Sequence, residues 1–351
     1  MRVLLVNSSA VMRGGESQTL ELGLRLRKRG IETAFAVRGG SELEAVLPPG
    51  VESIKARFET PVLTTPLRLR RFIKRWGPDI VHTQTSKAHA YSLIACTGLV
   101  PLVVSRRTAF SGGRGLASIL KYGRGVAHYI PISEAAAHSL RSRGVPDEQM
   151  TIVNSGIDIA RFASVRRDRE AGEVLLAGTA AAFEKEKGHS VLLDAATILD
   201  SRGIGIRYLL AGRGRLEDEI VVQASERGLD LDIFRIGDDL PLESFLGRLD
   251  IYVLPSIEEG LSTALMAAMA SGLPCVASRT GGIPEVTGED AAVLFEPGDP
   301  DGLADAIEKL AGDPVARELY SARASERALL FDVERMVNGT LEVYKRVIED
   351  Y

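Results

Sequence analysis

Residues 255–274 have the sequence PSIEEGLSTALMAAMASGLP. The large apolar residues recur every four positions, at Leu261, Leu265 and Met269. With alanines between them, this spacing predicts a helix that is buried on most of its sides. Glu258 and Glu259 come directly before the helix, and acids beside a buried element need partners. Either these acids reach water at the helix entrance, or a bound molecule uses them.

Length, composition and charge limit the class of protein. The chain has 351 residues, 45% of them hydrophobic, which is enough for two cores of ordinary size. A net charge of −4 disfavours a nucleic-acid partner, which a basic excess would indicate. Cys96 and Cys275 lie far apart beside apolar residues, which is typical of core residues in a cytosolic protein. No signal-peptide pattern and no run of eighteen apolar residues occurs, so we expect a cytoplasmic location.

Short apolar runs alternate with longer amphipathic stretches. The first series of predicted strands comprises residues 3–6, 33–37, 79–82, 102–105 and 128–133. The second comprises residues 174–179, 207–212, 232–237, 250–256, 274–278 and 292–297. Residues 19–30 alternate between apolar and polar side chains, as a strand would. The glycines on either side and the predicted strand that follows nevertheless favour a helix. The pattern predicts an α/β protein with two doubly wound parallel sheets, joined by the polar linker 154–173.

In open parallel sheets, ligands bind beyond the carboxyl ends of the strands, so the residues after each strand are candidates. After the first strand, Gly14 and Gly15 allow close backbone approach and open a helix whose free N–H groups favour anions. A simple tight turn is the alternative there, and the spacing is not G-x-G-x-x-G. Further along, Lys187 and Gly188 lie where a loop becomes a helix, so an ammonium and a helix N-terminus can converge on one phosphate.

The order of these features along the chain is more specific than any one of them. It resembles that of the retaining glycosyltransferases of family 4, which have the two-domain fold called GT-B. The matching segments span essentially the whole chain: GGESQTLELGLRLRKRG, PDIVHTQ, IPISEAAAHSL, VNSGIDIARF, GT…EKGH, DIYVLPSIEEGLSTALMAAMASGLPCVASRTGGIPEV and EPGDPDGLADAI. The resemblance implies a Rossmann-like acceptor domain at 1–165 and a nucleotide-sugar donor domain at 166–335, facing a central cleft. A C-terminal helix at 336–351 is expected to return to the first domain.

The same resemblance implies roles for single residues. Lys187 and Glu259 are the expected catalytic residues, since the ammonium stabilises the departing diphosphate and the carboxylate accepts hydrogen bonds from donor-sugar hydroxyls. The expected donor-binding residues lie in glycine-rich turns and at the helix entrance: Gly14, Gly15, Gly188, Gly260, Leu261, Ser262, Thr263, Ala264, Gly281 and Gly282. Further candidates are His82, Arg106, Arg107 and Arg213. For each of them, an ordinary structural or surface role is the alternative.

The chain departs from the family pattern at three places. Ala182 stands where the family commonly has an arginine, five residues before Lys187, and Ala267 stands where it has the second glutamate of an E-x7-E pair. Arg106 and Arg107 occupy the region where some relatives carry a histidine. Ala182 and Ala267 support an alternative hypothesis, a GT-B binding module that has lost catalysis. A nucleotide-sugar epimerase on the same fold is a further alternative, less favoured because the E-x-G-L-S-T helix entrance matches transferases better.

A helix N-terminus with Lys187 can stabilise a departing diphosphate without a metal, so we expect no metal and no cofactor beyond the nucleotide-sugar co-substrate. The Asp-x-Asp segments at 230–232 and 299–301 are interpreted as surface acids. The resemblance implies a retaining reaction in which the leaving phosphate helps to deprotonate the acceptor. We expect a glycan or lipid-linked acceptor.

The basic segment 65–76 has two interpretations. It is either an interfacial helix at an anionic membrane or, as we favour, a helix whose apolar side packs on its own sheet. The first interpretation implies peripheral association with the inner face of the cell membrane.

Overall fold

The computed structural model describes residues 1–58, 64–108, 122, 125–165 and 174–351. The chain divides into two compact units. Unit 1 comprises Met1–Gly156 and Glu334–Tyr351, and unit 2 comprises Ile157–Val333. The domain boundaries expected after residues 165 and 335 stay a prediction, and part of the expected linker, 166–173, lies outside the described residues.

Unit 1 contains a six-stranded parallel sheet with the order β3-β2-β1-β4-β5-β6. Its strands are β1 (Arg2–Asn7), β2 (Glu32–Arg38), β3 (Ser53–Ala56), β4 (Ile80–Thr83), β5 (Leu102–Arg106) and β6 (His128–Pro131). Its helices include α1 (Gly14–Lys28), α2 (Glu42–Ala45), α3 (Thr64–Trp76), α4 (Ser86–Cys96) and α5 (Glu134–Arg141).

Unit 2 contains a second six-stranded parallel sheet, with the order β12-β11-β10-β7-β8-β9. Its strands are β7 (Leu175–Ala180), β8 (Ile206–Ala211), β9 (Leu231–Phe234), β10 (Ile251–Leu254), β11 (Cys275–Ser278) and β12 (Val293–Phe295). Its helices are α6 (Ile159–Ala163), α7 (His189–Ser201), α8 (Glu217–Glu226), α9 (Leu242–Leu246), α10 (Thr263–Ala270), α11 (Ile283–Thr287), α12 (Pro300–Gly312) and α13 (Pro314–Ala328).

The two sheets have the same topology. Numbered within each unit, the order is 3-2-1-4-5-6, which is that of doubly wound nucleotide-binding folds. The predicted α/β class with two parallel sheets is confirmed. The prediction missed β3, because Ser53–Ala56 is a short edge strand with only Ala56 buried, and no continuous apolar run marks it.

The basic helix α3 and the C-terminal helix both pack within unit 1. In α3, Leu69, Phe72 and Ile73 belong to the core of unit 1, so the apolar side of this basic helix covers its own sheet. The last helix, α14 (Val333–Asp350), lies in unit 1 from Glu334 onward. Its Tyr344 is fully buried there, and its hydroxyl shares a 2.6 Å hydrogen bond with a ring nitrogen of His82.

Three of the four buried histidines are expected to make the fold sensitive to acid. Burial lowers the pKa of His82 to about 3, and it lowers the pKa values of His128 and His189 to about 4. Below about pH 6.5 the unfolded chain protonates these rings while the folded protein does not. We therefore expect the free energy of unfolding to fall as pH decreases from 6.5 towards 4, by about 1.4 kcal/mol per pH unit for each ring. Urea unfolding at a series of pH values measures this slope.

His189 offers a control for this slope, because its ring packs edge-on against Phe183 with centroids 5.0 Å apart. His189→Phe keeps an aromatic ring and removes one titrating group. The dependence of the free energy of unfolding on pH should therefore become shallower by about 1.4 kcal/mol per pH unit. An identical slope in the variant would show that acid acts elsewhere.

Candidate functional site

The predicted buried helix is α10, and its first turn is fixed by a side-chain cap. Ser262 Oγ accepts a hydrogen bond from the backbone N–H of Leu265 at 3.2 Å, which satisfies one free donor of the first turn. Every residue of α10 from Leu265 to Ala270 is buried. Ahead of the cap, Glu258 is exposed, whereas the Glu259 side chain is only 12% exposed. The two acids therefore have different environments, and only Glu259 is held inside the site.

Glu259 is bound by three donors. Lys187 Nζ donates to Glu259 Oε2 at 2.7 Å, and Ser256 Oγ donates to the same oxygen at 3.2 Å. The backbone N–H of Gly260 donates to Oε1 at 3.1 Å. The Lys187 side chain is 20% exposed, so the ion pair is sheltered but reachable from solvent. The arrangement places one cation and one fixed acceptor side by side, which suits recognition of a ligand that carries both phosphate and hydroxyl groups.

Two glycines allow the backbone around Glu259 to pack this closely. Gly188 has φ +66°, and a Cβ there would lie 2.0 Å from the carbonyl oxygen of Pro255. Gly281 has φ +54°, and a Cβ there would lie 1.8 Å from the carbonyl oxygen of Glu259. Real side chains do not approach a carbonyl oxygen at such distances, and positive φ also favours glycine. Segment 255–260 is therefore held between two turns that only glycine can form.

Backbone hydrogen bonds join the same three pieces of chain. The carbonyl oxygen of Glu186 accepts from the N–H of Ile257 at 2.8 Å and from that of Glu258 at 3.2 Å. On the other side, Gly282 N–H donates to the carbonyl oxygen of Gly260 at 2.9 Å. The position of Glu259 is thus fixed through main-chain contacts on both sides.

The topology explains why these pieces meet. In the order β11-β10-β7, three neighbouring parallel strands end at the same edge of the sheet, and each is followed by one piece of the site. The structure brings together at this edge Lys187, Gly188, Glu259, Gly260, Leu261, Ser262, Thr263, Ala264, Gly281 and Gly282. Ser256, which the sequence analysis missed, directly follows the strand end and orients Glu259; its place after β10 was the available signal.

Two arginines after β8 already have acidic partners. Arg213 forms an ion pair with Asp238, and Arg215 Nη2 donates to Glu184 Oε2 at 2.8 Å. Glu184, also missed from the sequence, lies in the loop that carries Lys187 and has a side chain only 9% exposed. Arg215 is therefore anchored beside the Lys187 loop, whereas Arg213 is directed to a different partner.

The remaining candidates lie in unit 1. A Cβ at Gly15 would be 3.2 Å from Cδ of Arg107, so the first turn of α1 and the end of β5 are in contact. His82 is 1% exposed, and its ring nitrogens share hydrogen bonds with the hydroxyls of Tyr344 and Ser105. It occupies the packed, hydrogen-bonded environment that was the structural alternative for this residue. Burial lowers the pKa of Arg106.

Three of the four acids in the two Asp-x-Asp segments have structural partners. Asp230 and Asp232 both form ion pairs with Arg207, and Asp299 accepts from Gly302 N–H at 3.0 Å as the cap of α12. Within the described ranges, no group of three or more His, Cys, Asp or Glu side chains could hold a metal ion. No helix in the described part of the chain is long and apolar enough to span a bilayer.

The arrangement of strands and turns matches that of solved enzymes. The structure of HepE from Anabaena in complex with UDP-glucose aligns with a TM-score of 0.85 at 18% sequence identity, covering 99% of this chain and 100% of that one. At this identity the likeness establishes the fold alone. The fold is that of the GT-B glycosyltransferases.

Two family models match the sequence itself. The model described as Glycosyltransferase Family 4 matches residues 12–161, and the model described as Glycosyl transferases group 1 matches residues 173–313. The chain belongs to this family of glycosyltransferases.

Two curated relatives show how far the similarity extends. Phosphatidyl-myo-inositol mannosyltransferase of Mycolicibacterium smegmatis is 29% identical over 95% of this chain and 90% of its own length. The amylovoran biosynthesis glycosyltransferase AmsK of Erwinia amylovora is 32% identical over 184 residues, which are 50% of this chain and 45% of AmsK. The chain thus aligns with less than half of AmsK and with most of the mannosyltransferase.

We expect Gly281→Ala to destabilise unit 2 strongly, because the new methyl group would meet the Glu259 carbonyl oxygen and the residue would keep a positive φ. Positive φ costs an alanine roughly 1–2 kcal/mol, and the clash adds about 1–3 kcal/mol. Urea unfolding at neutral pH measures the total.

Gly203→Ala is the matched control, because Gly203 has φ +75° and nothing lies within 4 Å of its added Cβ. The free energy of unfolding of this variant should fall only by the cost of a positive φ for alanine. Equal losses in the two variants would mean that the close packing against Glu259 does not exist.

Proposed function

We propose that this protein transfers a sugar from a nucleotide-diphosphate sugar to a hydroxyl group of an acceptor, with retention of the anomeric configuration. The observation that carries the proposal is the ion pair of Lys187 and Glu259 at the carboxyl edge of the unit 2 sheet. Membership of the glycosyltransferase family and the UDP-glucose complex of HepE support a nucleotide-sugar as the donor.

Lys187 is placed to stabilise the leaving group. As the bond from sugar to phosphate breaks, negative charge develops on the diphosphate, and a fixed cation nearby lowers the barrier. Only Gly188 separates the lysine from the thirteen-residue helix α7, whose N-terminal amides and dipole favour an anion at the same place. Because a cation and helix amides together stabilise this charge, we propose a metal-independent reaction.

Glu259 is placed to orient the sugar. Its carboxylate is held by Ser256 and Gly260, so it remains fixed when Lys187 turns to a phosphate. A fixed carboxylate accepts hydrogen bonds from sugar hydroxyls and holds the anomeric carbon in register with the leaving phosphate. With this carboxylate bound to hydroxyls, we propose that the leaving phosphate itself takes the acceptor proton, on the face from which it departs.

For the acceptor we propose a glycan or glycolipid precursor of cell-surface polysaccharide synthesis. The names of the two curated relatives support this class, since one is a phosphatidyl-myo-inositol mannosyltransferase and the other acts in amylovoran biosynthesis. The absence of a bilayer-spanning helix among the described residues is compatible with the cytoplasmic location we propose.

A noncatalytic binding module is the second candidate. Ala182 and Ala267 favour it, because they lack the side chains that the family commonly has there, and Ala267 is only 1% exposed. Incubation with UDP-, GDP-, ADP- and dTDP-sugars separates the candidates. Transfer consumes donor only with acceptor, an epimerase converts donor without acceptor, and a binding module does neither.

Lys187→Ala should reduce turnover of the donor by roughly 10²–10³, the usual cost of losing one electrostatic donor to a developing charge. The fold should persist, since Lys187 lies in a turn at the edge of the sheet and Glu259 keeps its hydrogen bonds from Ser256 and Gly260. Chromatography of donor and product measures the turnover. Lys185→Ala is the matched control: Lys185 is exposed in the same 3₁₀ turn and should be dispensable. Near-native turnover in Lys187→Ala would remove this lysine from the mechanism.

We also propose that the solvent-facing charges of α3, and not its apolar side, attach the protein to an anionic membrane. The helix carries five basic residues and no acid, and its apolar side is already buried, so the charges face solvent. The exposed basic residues without an ion pair among the described residues are Arg68, Arg71 and Lys74. Each basic residue near such a surface contributes about 1 kcal/mol at low salt.

The triple variant Arg68→Gln, Arg71→Gln, Lys74→Gln should therefore bind phosphatidylglycerol vesicles about a hundredfold more weakly in a sedimentation assay. Three exposed arginines of unit 2 provide a control with the same change in net charge: Arg202→Gln, Arg235→Gln and Arg248→Gln. If both triple variants bind phosphatidylglycerol vesicles equally, α3 is not the contact. The same follows if the unchanged protein binds phosphatidylcholine vesicles as tightly as phosphatidylglycerol vesicles.

A further inference from the structure

A cavity of about 380 Å³ lies within unit 2, at the opposite end of α10 from Glu259. Its walls are α6, the turn that follows α10, and the C-terminal end of α13. An eight-residue helix is about 12 Å long, so the cavity is separate from the candidate site at the carboxyl edge. Its volume falls within the usual range of small-molecule sites in proteins.

Hydrogen bonds hold the walls of this cavity together. Ser321 Oγ donates to the carbonyl oxygen of Gly272 at 2.6 Å, which fastens α13 to the turn after α10. Just before α6, the backbone N–H of Ile157 donates to the carbonyl oxygen of Phe331 at 2.9 Å, shortly after the end of α13. The cavity is therefore formed by contacts within unit 2, before any ligand arrives.

The serine hydroxyls of the wall present acceptors rather than donors. Ser271 Oγ donates to the carbonyl oxygen of Ala267 at 2.8 Å, and Ser325 Oγ donates to that of Ser321 at 3.0 Å. Each hydroxyl thus uses its only proton on the main chain and leaves lone pairs for an occupant. The C-terminus of α10 adds a partial negative charge from its aligned peptide dipoles.

Glu326 is the one charged side chain among the described residues of the wall. Among the described residues, no cation forms an ion pair with it, because the neighbouring arginines have other partners. Arg323 pairs with Asp290 at 3.6 Å, and Arg327 donates to the carbonyl oxygen of Val286 at 3.1 Å. The wall is therefore negative and is not neutralised by a cation of its own.

The rest of the wall is apolar, which disfavours a bare metal ion. Ile159, Ala163 and Ala270 line the cavity with aliphatic groups, and Leu329 lines it with a side chain that is 55% exposed. Mg²⁺ and Ca²⁺ need several oxygen ligands, whereas this wall has a single carboxylate. An occupant that matches the wall combines an apolar body with a positive group that donates hydrogen bonds.

We propose that this cavity binds a small organic cation, namely a primary ammonium on a short apolar body. An ammonium has three donors and no acceptor, which complements the Glu326 carboxylate and the hydroxyl oxygens of Ser271 and Ser325. The apolar body packs against Ile159 and Leu329 and removes their exposed surface from water. The site belongs to neither substrate of the proposed transfer, since it lies away from the carboxyl edge.

An NMR titration of the full chain with benzylammonium, benzyl alcohol and benzoate tests this site. The three probes share one ring and differ in charge. Benzylammonium should bind about tenfold more tightly than benzyl alcohol, because its hydrogen bond to Glu326 is charge-assisted, and benzoate should bind most weakly. Glu326→Gln should remove the advantage of the cation over the alcohol. Ala163→Phe, which fills the cavity from α6, should weaken the binding of both.

Glu318→Gln is the matched control, because Glu318 is exposed on α13 about two turns before Glu326 and does not line the cavity. It removes the same charge and should leave the affinity for benzylammonium unchanged, as should Glu259→Gln at the carboxyl edge. The assignment is wrong if the unaltered protein binds benzylammonium and benzyl alcohol equally, or if Glu318→Gln loses as much affinity as Glu326→Gln. A loss in Glu259→Gln would place the cation at the carboxyl edge and would equally overturn the assignment.

Discussion

The close packing of segment 255–260 between two glycine turns is the constraint on which the site depends. Gly188 and Gly281 each bring main chain to a distance from this segment that no other residue allows. The consequence is that Glu259 stands within 2.7 Å of Lys187, although the two are separated by 72 residues. The opposite charges of the site are therefore positioned by backbone packing rather than by flexible side chains alone.

The order of the strands explains why these turns lie close together in the fold. Because β7, β10 and β11 are neighbours and parallel, the turns that follow them meet at one edge, and α7, α10 and α11 begin there. Helix starts favour anions, and the ion pair adds a cation and a fixed acceptor. Unit 1 repeats the topology, and after β5 Arg107 donates to Gln84 and Ser155.

Much of this could be predicted from the sequence, and the failures have physical causes. Continuous apolar runs marked the central strands, and the four-residue spacing marked α10, because both patterns arise from burial on all sides. Edge strand β3 left no such pattern, since only Ala56 is buried. Lys187 and Glu259 were recognisable by family resemblance. The role of Ser256 was not, because its hydrogen bond to Glu259, three residues later, depends on how the loop folds, which no sequence spacing records.

The most direct measurement of the central claim is a crystal structure of the protein with the nucleotide-sugar that the donor panel selects. The account predicts a phosphate oxygen about 3 Å from Lys187 Nζ, at the start of α7, with a sugar hydroxyl donating to Glu259. Lys187 would then have exchanged its carboxylate partner for the diphosphate. A nucleotide-sugar bound with its phosphates away from Lys187, and the ion pair with Glu259 intact, would contradict the account.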